Sequence, residues 1–353
     1  MISGADRLLP SRPLGATRIQ VTELGFGGAS LGNLYRPVDE DQARAAVVTA
    51  WSAGMRYFDT APYYGFGLSE RRIGDALRDK RREYFVLSTK VGRLLRPMPS
   101  HHGDAERCGF RSPMPFEPVF DYSYDGILRS YESSLQRLGL SRVDVLLVHD
   151  IGPATHGKAN DTHFKALMGG GYRALDELRS SGDIVAVGLG VNEWEICEAA
   201  MDYGRFDCVL LAGRYTLLEQ EALQTFFPKC AVHGTTVIIG GAYNSGILAT
   251  GVRRGGVVHY NYEPAPENVI ERVGKIEEIC DIHGVPLPAA ALRFPLAHPQ
   301  VSCVIPGMGS PRRIEQVTNH YSATIPDAFW RDMKGAGLIR EDAPIPQSQD
   351  GVC

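Results

Sequence analysis

The stretch Tyr57-Phe58-Asp59-Thr60-Ala61-Pro62-Tyr63-Tyr64-Gly65 (residues 57–65) runs an apolar strand directly into a carboxylate and a phenol. Gly54, just upstream, ends the preceding helix, so Asp59 is expected at the carboxyl end of the strand that follows. Tyr64 then lies on a short loop that Pro62 stiffens. A carboxylate at a strand end costs stability unless it is paired, so this stretch predicts a cationic partner for Asp59.

Strands and helices alternate on both sides of this stretch. Leu128, Tyr131, Leu135 and Leu138 recur at three- and four-residue intervals and Gly139 ends the run, a pattern typical of an amphipathic helix. The predicted strands lie within residues 18–28 and at 55–59, 84–89, 143–148, 184–189, 208–211, 235–239 and 301–305. The predicted helices lie at 42–53, after a cap at Ser69, at 125–138, 172–181, 194–203, 219–232 and 267–283, and from Pro311 onward.

Eight apolar strands, each followed by a helix, predict an α/β fold, the (β/α)8 TIM barrel, in one domain. A doubly wound open sheet is the alternative, but Gly25-Phe26-Gly27-Gly28 does not match Gly-x-Gly-x-x-Gly. Long loops, 91–124 and 150–171, follow strands 3 and 4, and strand carboxyl ends are where barrels carry their sites. We expect a barrel domain over residues 1–338 and a C-terminal tail over 339–353.

The composition argues against several classes of protein. The formal net charge of the 353 residues is -4 and neither sign forms a long run, so no nucleic-acid partner is expected. No apolar run is long enough to span a membrane. The seven cysteines are odd in number and form no Cys-x-x-Cys pair, which favours reduced thiols and a cytoplasmic location. The oligomeric state stays unknown.

In a barrel the carboxyl ends of strands 2, 3 and 4 are neighbours, so Asp59, Lys90 and His149 are expected to meet beside Tyr64. A phenol has a pKa of about 10 and is a weak acid or base at neutral pH. A nearby ammonium lowers that pKa, and a carboxylate holds the ammonium in place. His149 would position a carbonyl or alcohol oxygen, Tyr64 would exchange its proton, and hydride would need a separate cofactor.

Other interpretations of these residues remain open at this point. Lys90 could be solvated, His149 could be a hydrogen-bonded core histidine, and Tyr63 rather than Tyr64 could face the site. A metal site is the other functional interpretation, although no His-x-His or His-Glu-x-x-His pattern supports it. Its candidate ligands are His101, His102, His149, Asp150 and His156.

The segment Gly307-Met308-Gly309-Ser310-Pro311-Arg312-Arg313 (residues 307–313) follows the eighth strand. Its glycines let a ligand approach the backbone, while Ser310 and Pro311 suit the cap and first position of a helix. The positive end of that helix attracts phosphate. An ordinary strand-to-helix turn is the alternative.

Three motifs together resemble the aldo-keto reductase family: Phe58-Asp59-Thr60-Ala61 with Tyr64-Gly65, Ser88-Thr89-Lys90, and Leu147-Val148-His149. Matching order continues from about Leu14 to Gln316. The resemblance implies that Asp59, Tyr64, Lys90 and His149 are the catalytic tetrad. It also implies a nicotinamide cofactor bound across the barrel mouth without a Rossmann domain.

The same resemblance implies which residues bind the cofactor. They are Gly27, Gly28, Asn192, Ala212, Ser245, Gly246, Leu248, Gly307, Gly309, Arg313 and Gln316. Relatives often carry basic side chains for the 2'-phosphate of NADP where this chain has Gly307 and Gly309, but Arg313 is retained. NAD is therefore the expected cofactor, with NADP left open.

These departures resemble the branch that contains NAD-dependent aldose 1-dehydrogenases and pyridoxal 4-dehydrogenase. The resemblance implies oxidation of an aldose, of the L-fucose or D-threo-aldose type, at its anomeric carbon to a lactone, with hydride passing to NAD. The alternatives are a pyridoxal 4-dehydrogenase and an NADPH-dependent aldehyde or ketone reductase. A non-catalytic partner is a further alternative, since the fold also serves as a channel-associated subunit.

Overall fold

A computed structural model describes residues 8–99, 106–253 and 255–347. Its central feature is a sheet of eight strands in which each strand pairs parallel with the next. The strands are β1 Phe26–Gly27, β2 Tyr57–Asp59, β3 Val86–Val91, β4 Val145–His149, β5 Ala186–Val191, β6 Cys208–Ala212, β7 Thr236–Gly240 and β8 Val301–Ile305.

The two edges of the sheet meet, which makes it a barrel. Leu24 bridges Val304 and Gly27 bridges Gly307, both in parallel, and the Gly25 N–H donates to Val304 O at 3.0 Å. The predicted (β/α)8 barrel is confirmed, and the doubly wound alternative is wrong because an open sheet leaves its edge strands unpaired.

Helices cover the outside of the barrel. They are α1 Glu40–Ser52, α2 Leu68–Leu77, α3 Tyr124–Leu138, α4 Tyr172–Ser181, α5 Glu195–Met201, α6 Phe226–His233, α7 Glu267–His283, α8 Leu287–Arg293, α9 Pro311–Tyr321 and α10 Asp327–Gly335. The sequence patterns predicted neither α8 nor α10. Helix α6 begins later than expected, because residues 221–223 form a separate 3-10 turn.

The strands divide the core into two parts. Along β4, Val145 and Leu147 belong to the cluster inside the barrel, whereas Leu146 and Val148 belong to the cluster between sheet and helices. A hairpin at Ser11–Pro13 and Gln20–Thr22 supplies Leu14, Ile19 and Val21 to the interior cluster. It therefore closes the amino end of the barrel and leaves the carboxyl end as the mouth.

Hairpins and short helices fill the long connections. Residues 91–124 form hairpins at Arg93–Pro97 with Phe116–Phe120 and at Glu106–Arg107 with Phe110–Arg111. Residues 150–171 contain short helices at Pro153–His156 and Asn160–Ala166, and β7 is followed by a hairpin at His259–Tyr260 with Glu263–Pro264. All of these segments follow carboxyl ends of barrel strands.

The prediction that Ser69 caps α2 is wrong. The helix begins after Gly67, whose φ is +99°, and no side chain caps it. Ser69 lies inside the first turn, where its hydroxyl donates to Gly28 O at 2.8 Å and contacts Thr60 Oγ1 at 2.8 Å. The hydroxyl is engaged in joining α2 to the ends of β1 and β2, so it does not bond the helix amino end.

The described part of the C-terminal tail runs from the loop after β6, where the Arg340 N–H donates to Gln220 Oε1 at 2.8 Å, to the amino-terminal segment. Ile339 and Ala343 are buried, and residues 343–347 share a cavity with Leu8, Leu9 and Arg12 of the amino-terminal segment. Arg12 also donates to Val301 O, at the amino end of β8. We keep the division into barrel, 1–338, and tail, 339–353, as a proposal. Within the described residues, none of the helices has both the length and the apolar character that crossing a membrane requires.

Candidate active site

Lys90, from β3, joins Asp59 and Tyr64 through one buried ammonium group. Its Nζ donates to Asp59 Oδ2 at 2.7 Å, to Thr60 O at 3.0 Å and to Tyr64 Oη at 3.0 Å. The Lys90 side chain is 1% exposed, so the solvated-lysine interpretation is wrong. All three of its ammonium hydrogens have acceptors, which is the condition under which a buried charge is tolerated.

Asp59 is held from its other oxygen as well. Ser88 Oγ donates to Asp59 Oδ1 at 2.7 Å, and Tyr57 Oη lies 2.9 Å from the same hydroxyl. Tyr57 faces the barrel interior one layer below the mouth. The carboxylate is therefore fixed by side chains from β2 and β3, and Lys90 is fixed in turn.

Burial dominates the acidity of Tyr64. Burial raises the pKa of its phenol to about 12, with Asp59 also raising it, although Lys90 lowers it. We expected Lys90 to bring this pKa below its ordinary value, and that expectation is wrong for the protein alone. The reason is that one ammonium, already shared with a carboxylate, does not offset the loss of water around the phenolate.

Lys90 stays charged at neutral pH. Burial by itself lowers the pKa of Lys90, but Asp59 and Tyr64 together raise it above its ordinary value. The site therefore presents an ammonium against a protonated phenol.

His149 occupies the end of β4, facing Tyr64. The two rings are 5.8 Å apart between centroids and nearly perpendicular, at 88°. Arg93 Nη1 lies 3.3 Å from His149 Nδ1, and Arg93 Nη2 donates to Asp150 Oδ2 at 2.7 Å. Burial lowers the pKa of His149 well below its ordinary value, and the positive charges of Arg93 and Lys90 lower it further. His149 is therefore neutral at physiological pH.

Tyr63 has a different environment from Tyr64. Its ring lies 4.0 Å from the Arg93 guanidinium and 5.4 Å from the ring of Phe110. Tyr64 Oη is the phenol that receives the Lys90 hydrogen bond. The geometry thus favours Tyr64 as the proton-transfer group and makes Tyr63 part of the wall beside His149.

The described residues contain no group of three or more His, Cys, Asp or Glu side chains arranged to hold a metal ion. His101 and His102 lie outside the described residues. His156 Nε2 lies 2.9 Å from Tyr122 Oη, and Asp150 is paired with Arg93. These two candidate ligands have other partners.

The two glycines at the carboxyl end of β1 meet the barrel wall closely. A Cβ at Gly27 would lie 2.9 Å from Ile305 O, and a Cβ at Gly28 would lie 2.4 Å from Asp59 O. Packing of β1 against β8 and β2 therefore requires glycine at both positions. Their contact with a cofactor remains a proposal.

The loop after β7 offers polar atoms that suit a ligand. Among the described residues, the buried Asn244 Oδ1 and Tyr243 Oη have no hydrogen-bond partner. A Cβ at Gly246 would meet nothing within 4 Å, so backbone there borders open space. Ser245 Oγ accepts from the Tyr262 N–H at 3.0 Å, which connects the loop to the hairpin at 259–264. These features fit a bound dinucleotide.

Leu248, two residues after Gly246, does not border open space. Its side chain is completely buried in the core and its N–H donates to Tyr243 O at 3.1 Å. The Leu248 side chain therefore supports the loop from behind, and its contact with the cofactor remains a proposal.

The segment at 307–313 forms the turn into α9. Ser310 Oγ accepts from the Arg313 N–H at 3.3 Å and caps the helix. The Arg313 guanidinium lies 5.3 Å from the Tyr243 ring centroid, so this turn is beside the β7 loop. Gln316 is exposed one turn further along α9.

Asn192 and Ala212 follow β5 and end β6. Asn192 O accepts from Arg214 Nε at 2.8 Å, and Arg214 Nη1 donates to Asn261 Oδ1 at 2.8 Å. The sequence patterns did not single out Arg214, which joins the β5 and β6 loops to the hairpin at 259–264. Register places Ala212 opposite Gly240 at the same rim.

Residues 23–337 match the Aldo/keto reductase family. The chain belongs to this family. The aldo-keto reductase is 46% identical over 336 residues to a pyridoxal 4-dehydrogenase of Microbacterium luteolum, covering 93% of this chain and 97% of that protein. It is 38% identical over 327 residues to a D-threo-aldose 1-dehydrogenase of a Pseudomonas species, and the match covers 92% of this chain and 96% of that protein.

A solved structure supports the fold of the aldo-keto reductase. The holo form of an aldo-keto reductase from Bacillus halodurans superposes with a TM-score of 0.72 at 24% identity, covering 96% of this chain and 99% of that chain. The family match and the two relatives named above confirm the resemblance to the family and to its aldose dehydrogenase and pyridoxal 4-dehydrogenase branch.

Sequence patterns missed three neighbours of His149 in this aldo-keto reductase: Arg93, Asp150 as an ion-pair partner, and Tyr122, whose hydroxyl donates to His149 O at 2.7 Å. The one signal for them is Gly92-Arg93 directly after β3. Gly92, whose φ is +96°, follows the end of β3, and the next side chain, that of Arg93, reaches His149.

Proposed function

We propose that this aldo-keto reductase oxidises the hydroxyl of a cyclic hemiacetal, with an aldose oxidised at its anomeric carbon to a lactone and NAD as cofactor. The observation that carries the proposal is the buried contact of Lys90 with both Asp59 and Tyr64, beside a neutral His149. A bound nicotinamide supplies the hydride acceptor that no side chain can provide.

The protein's own residues handle the proton. In its deprotonated form, which Lys90 stabilises against the effect of burial, Tyr64 takes the proton of the anomeric hydroxyl as the carbon–oxygen double bond forms. His149, neutral, donates a hydrogen bond to the same oxygen and fixes its position relative to Tyr64. Asp59 keeps the ammonium of Lys90 directed at the phenol.

Two substrates share this chemistry. An aldose and pyridoxal each carry a hydroxyl within reach of an aldehyde carbon, so each closes into a hemiacetal whose oxidation yields a lactone. The relatives named D-threo-aldose 1-dehydrogenase and pyridoxal 4-dehydrogenase support one candidate each. We propose the aldose as the leading substrate class and pyridoxal as the second.

The choice of NAD rests on the turn before α9. A Cβ at Gly307 would lie 2.9 Å from Ser30 Oγ, and one at Gly309 would lie 3.3 Å from Ser30 Cβ. Ser30 belongs to the 3-10 turn at residues 28–32, and this turn therefore occupies the space that a larger basic side chain at position 307 or 309 would need. Arg313 is the one basic group of this turn beside Tyr243, which keeps NADP as the alternative.

A reductase using NADPH is the competing activity, and one observation favours it. With a pKa of about 12, Tyr64 carries its proton at neutral pH, as donation to a carbonyl oxygen requires. Reduction of an aldehyde or ketone is the direction that a protonated phenol serves.

A panel of initial rates separates these candidates. L-fucose, a D-threo-aldose and pyridoxal are each assayed with NAD and with NADP, and a simple aldehyde with NADH and NADPH. We expect the highest kcat/KM for an aldose with NAD, with lactone trapped by hydroxylamine as a hydroxamate. A higher value for pyridoxal or for the aldehyde with NADPH would reject the aldose. No change in cofactor absorbance with any compound would favour the non-catalytic partner.

We further propose the cytoplasm as the location of the enzyme, on the cysteine pattern of the sequence alone. A small sugar or aldehyde is the proposed partner molecule. The oligomeric state is left unassigned.

A further inference from the structure

Arg93 stands directly behind the proposed oxygen-binding histidine. It follows β3 after Gly92, whose φ is +96°, and its side chain is 5% exposed. The guanidinium lies 4.0 Å from the Tyr63 ring and 4.9 Å from the Phe120 ring. Two aromatic faces and the barrel mouth therefore hold a buried cation in one position.

The guanidinium contacts two successive residues at the end of β4. Nη1 lies 3.3 Å from His149 Nδ1, and Nη2 donates to Asp150 Oδ2 at 2.7 Å. A guanidinium has hydrogens to donate and no lone pair to accept. His149 Nδ1 must therefore be the acceptor in this contact, which leaves the ring hydrogen on Nε2.

We infer that Arg93 is a positioning residue that sets the tautomer of His149, so that Nε2–H is the donor presented to the substrate oxygen. The inference rests on the proposed function in one respect, that His149 binds the reacting oxygen. The tautomer itself follows from the contact between Arg93 and Nδ1.

Asp150 pairs with Arg93 and adopts an unfavourable backbone conformation. Its φ is +48°, a left-handed conformation that side-chain-bearing residues seldom adopt, and its N–H donates to Gly190 O at 2.9 Å. This conformation accompanies its pairing with Arg93 Nη2, so the guanidinium has a buried counterion. Asp150 Oδ2 lies 3.6 Å from His149 Nε2, beyond a good hydrogen bond, which leaves that hydrogen for a ligand.

Other charged or titratable groups also surround His149. They are Lys90 and Tyr64 from the tetrad, Tyr63 on the β2 loop, Tyr122 on the His149 carbonyl, and His156 on Tyr122. None of these groups lies at hydrogen-bonding distance from a ring nitrogen of His149; among the described residues, only Arg93 does. Arg93 is thus the group that distinguishes the two nitrogens.

Nitrogen NMR of labelled histidine in the full-length protein, with and without NAD, tests the tautomer directly, with the His149→Gln variant to assign the signal. We expect neutral His149 with its hydrogen on Nε2 in both states. A hydrogen on Nδ1 in the unaltered protein would overturn the inference without any assay of turnover.

Two substitutions distinguish the effect of the positive charge of Arg93 from the effect of its two hydrogen bonds. Arg93→Met removes both, so we expect a mixture of tautomers, a kcat about 100-fold lower and an acid limb of the kcat/KM profile moved to higher pH. Arg93→Lys keeps the charge but cannot bond both groups in the same way, so the acid limb should stay while the tautomer ratio and kcat change. An unchanged tautomer ratio in Arg93→Met would overturn the inference.

The outcomes distinguish this inference from the proposed function. Should Arg93→Met not fold, the unaltered protein and Arg93→Lys still decide the tautomer. Should the rate panel show no turnover, the NMR result keeps its meaning, because it reports on Arg93 and His149 alone. A tautomer on Nε2 in an inactive protein would reject the reaction and retain the role of Arg93.

Discussion

The proposed role of Tyr64 rests on a single oxygen atom, 3.0 Å from Lys90 Nζ. Replacing Tyr64 by Phe removes that oxygen and keeps the ring, which meets His149 edge to face. We expect turnover to fall by about 100-fold or more, because general acid–base groups contribute factors of this size, while NAD binding stays nearly unchanged. Steady-state rates and cofactor titration by fluorescence check both parts, with Tyr63→Phe as the control. Equal turnover in Tyr64→Phe and the unaltered enzyme would reject the role.

Lys90 is the group that lowers the pKa of Tyr64 against the effect of burial. In Lys90→Met that opposing charge is lost, so the pKa of the phenol rises further above its ordinary value. Oxidation needs the phenolate, so its rate at neutral pH should fall and its rise with pH should move to more alkaline values. The measurement is kcat for sugar oxidation against pH, with the exposed Lys165→Met as control. A profile that stays in place would show that Lys90 does not tune the phenol.

At the scale of elements, the hairpin after β3 is placed by the contact of Gly92 with Tyr122. A Cβ at Gly92 would lie 2.3 Å from Tyr122 Cε1, and the φ of Gly92 is +96°. The Tyr122 ring can therefore lie against the strand end, where its hydroxyl bonds His149 O. One glycine thus decides where β3 stops and where Arg93 enters the mouth.

Gly92→Ala should both destabilise the protein and impair the site. We expect a loss of about 2 kcal/mol or more in the free energy of unfolding, from overpacking and from the left-handed backbone, together with a lower kcat. Gly139→Ala is the matched control, because its φ is +63° and a Cβ there meets nothing within 4 Å. It should lose about 1 kcal/mol and keep its kcat. Urea unfolding and rates measure this, and a smaller loss in Gly92→Ala than in Gly139→Ala would contradict the account.

On the scale of the whole molecule, Glu23 joins the amino-terminal hairpin at 11–22, strand β8 and helix α9. Its carboxylate contacts Arg12 Nε at 2.7 Å and Tyr321 Oη at 2.5 Å, and Arg12 also donates to Val301 O. The Glu23 side chain is 15% exposed. These contacts lie at the amino end of the barrel, opposite the mouth.

Glu23→Ala should lower stability without altering catalysis. We expect a loss of about 2 kcal/mol in the free energy of unfolding, because Arg12 and Tyr321 lose a partly buried anion, with kcat unchanged. Glu83→Ala, which removes the exposed Arg81–Glu83 pair at 3.6 Å, should change stability by less than about 0.5 kcal/mol. Thermal unfolding and rates measured on the same samples check this. If Glu23→Ala and Glu83→Ala lose the same free energy of unfolding, Glu23 has no specific stabilising role.

The sequence by itself determined the order of the eight barrel strands, the barrel, and the strand-end positions of Asp59, Lys90 and His149. These follow from local periodicity and from the rule that parallel strands share one carboxyl end. Only the tertiary structure decided that burial holds the Tyr64 pKa above its ordinary value, that Leu248 is turned into the core, and that Arg93 meets His149 Nδ1. The physical reason is that desolvation and side-chain contacts depend on many residues that are far apart in the chain. Neither effect produces a periodic pattern in the sequence.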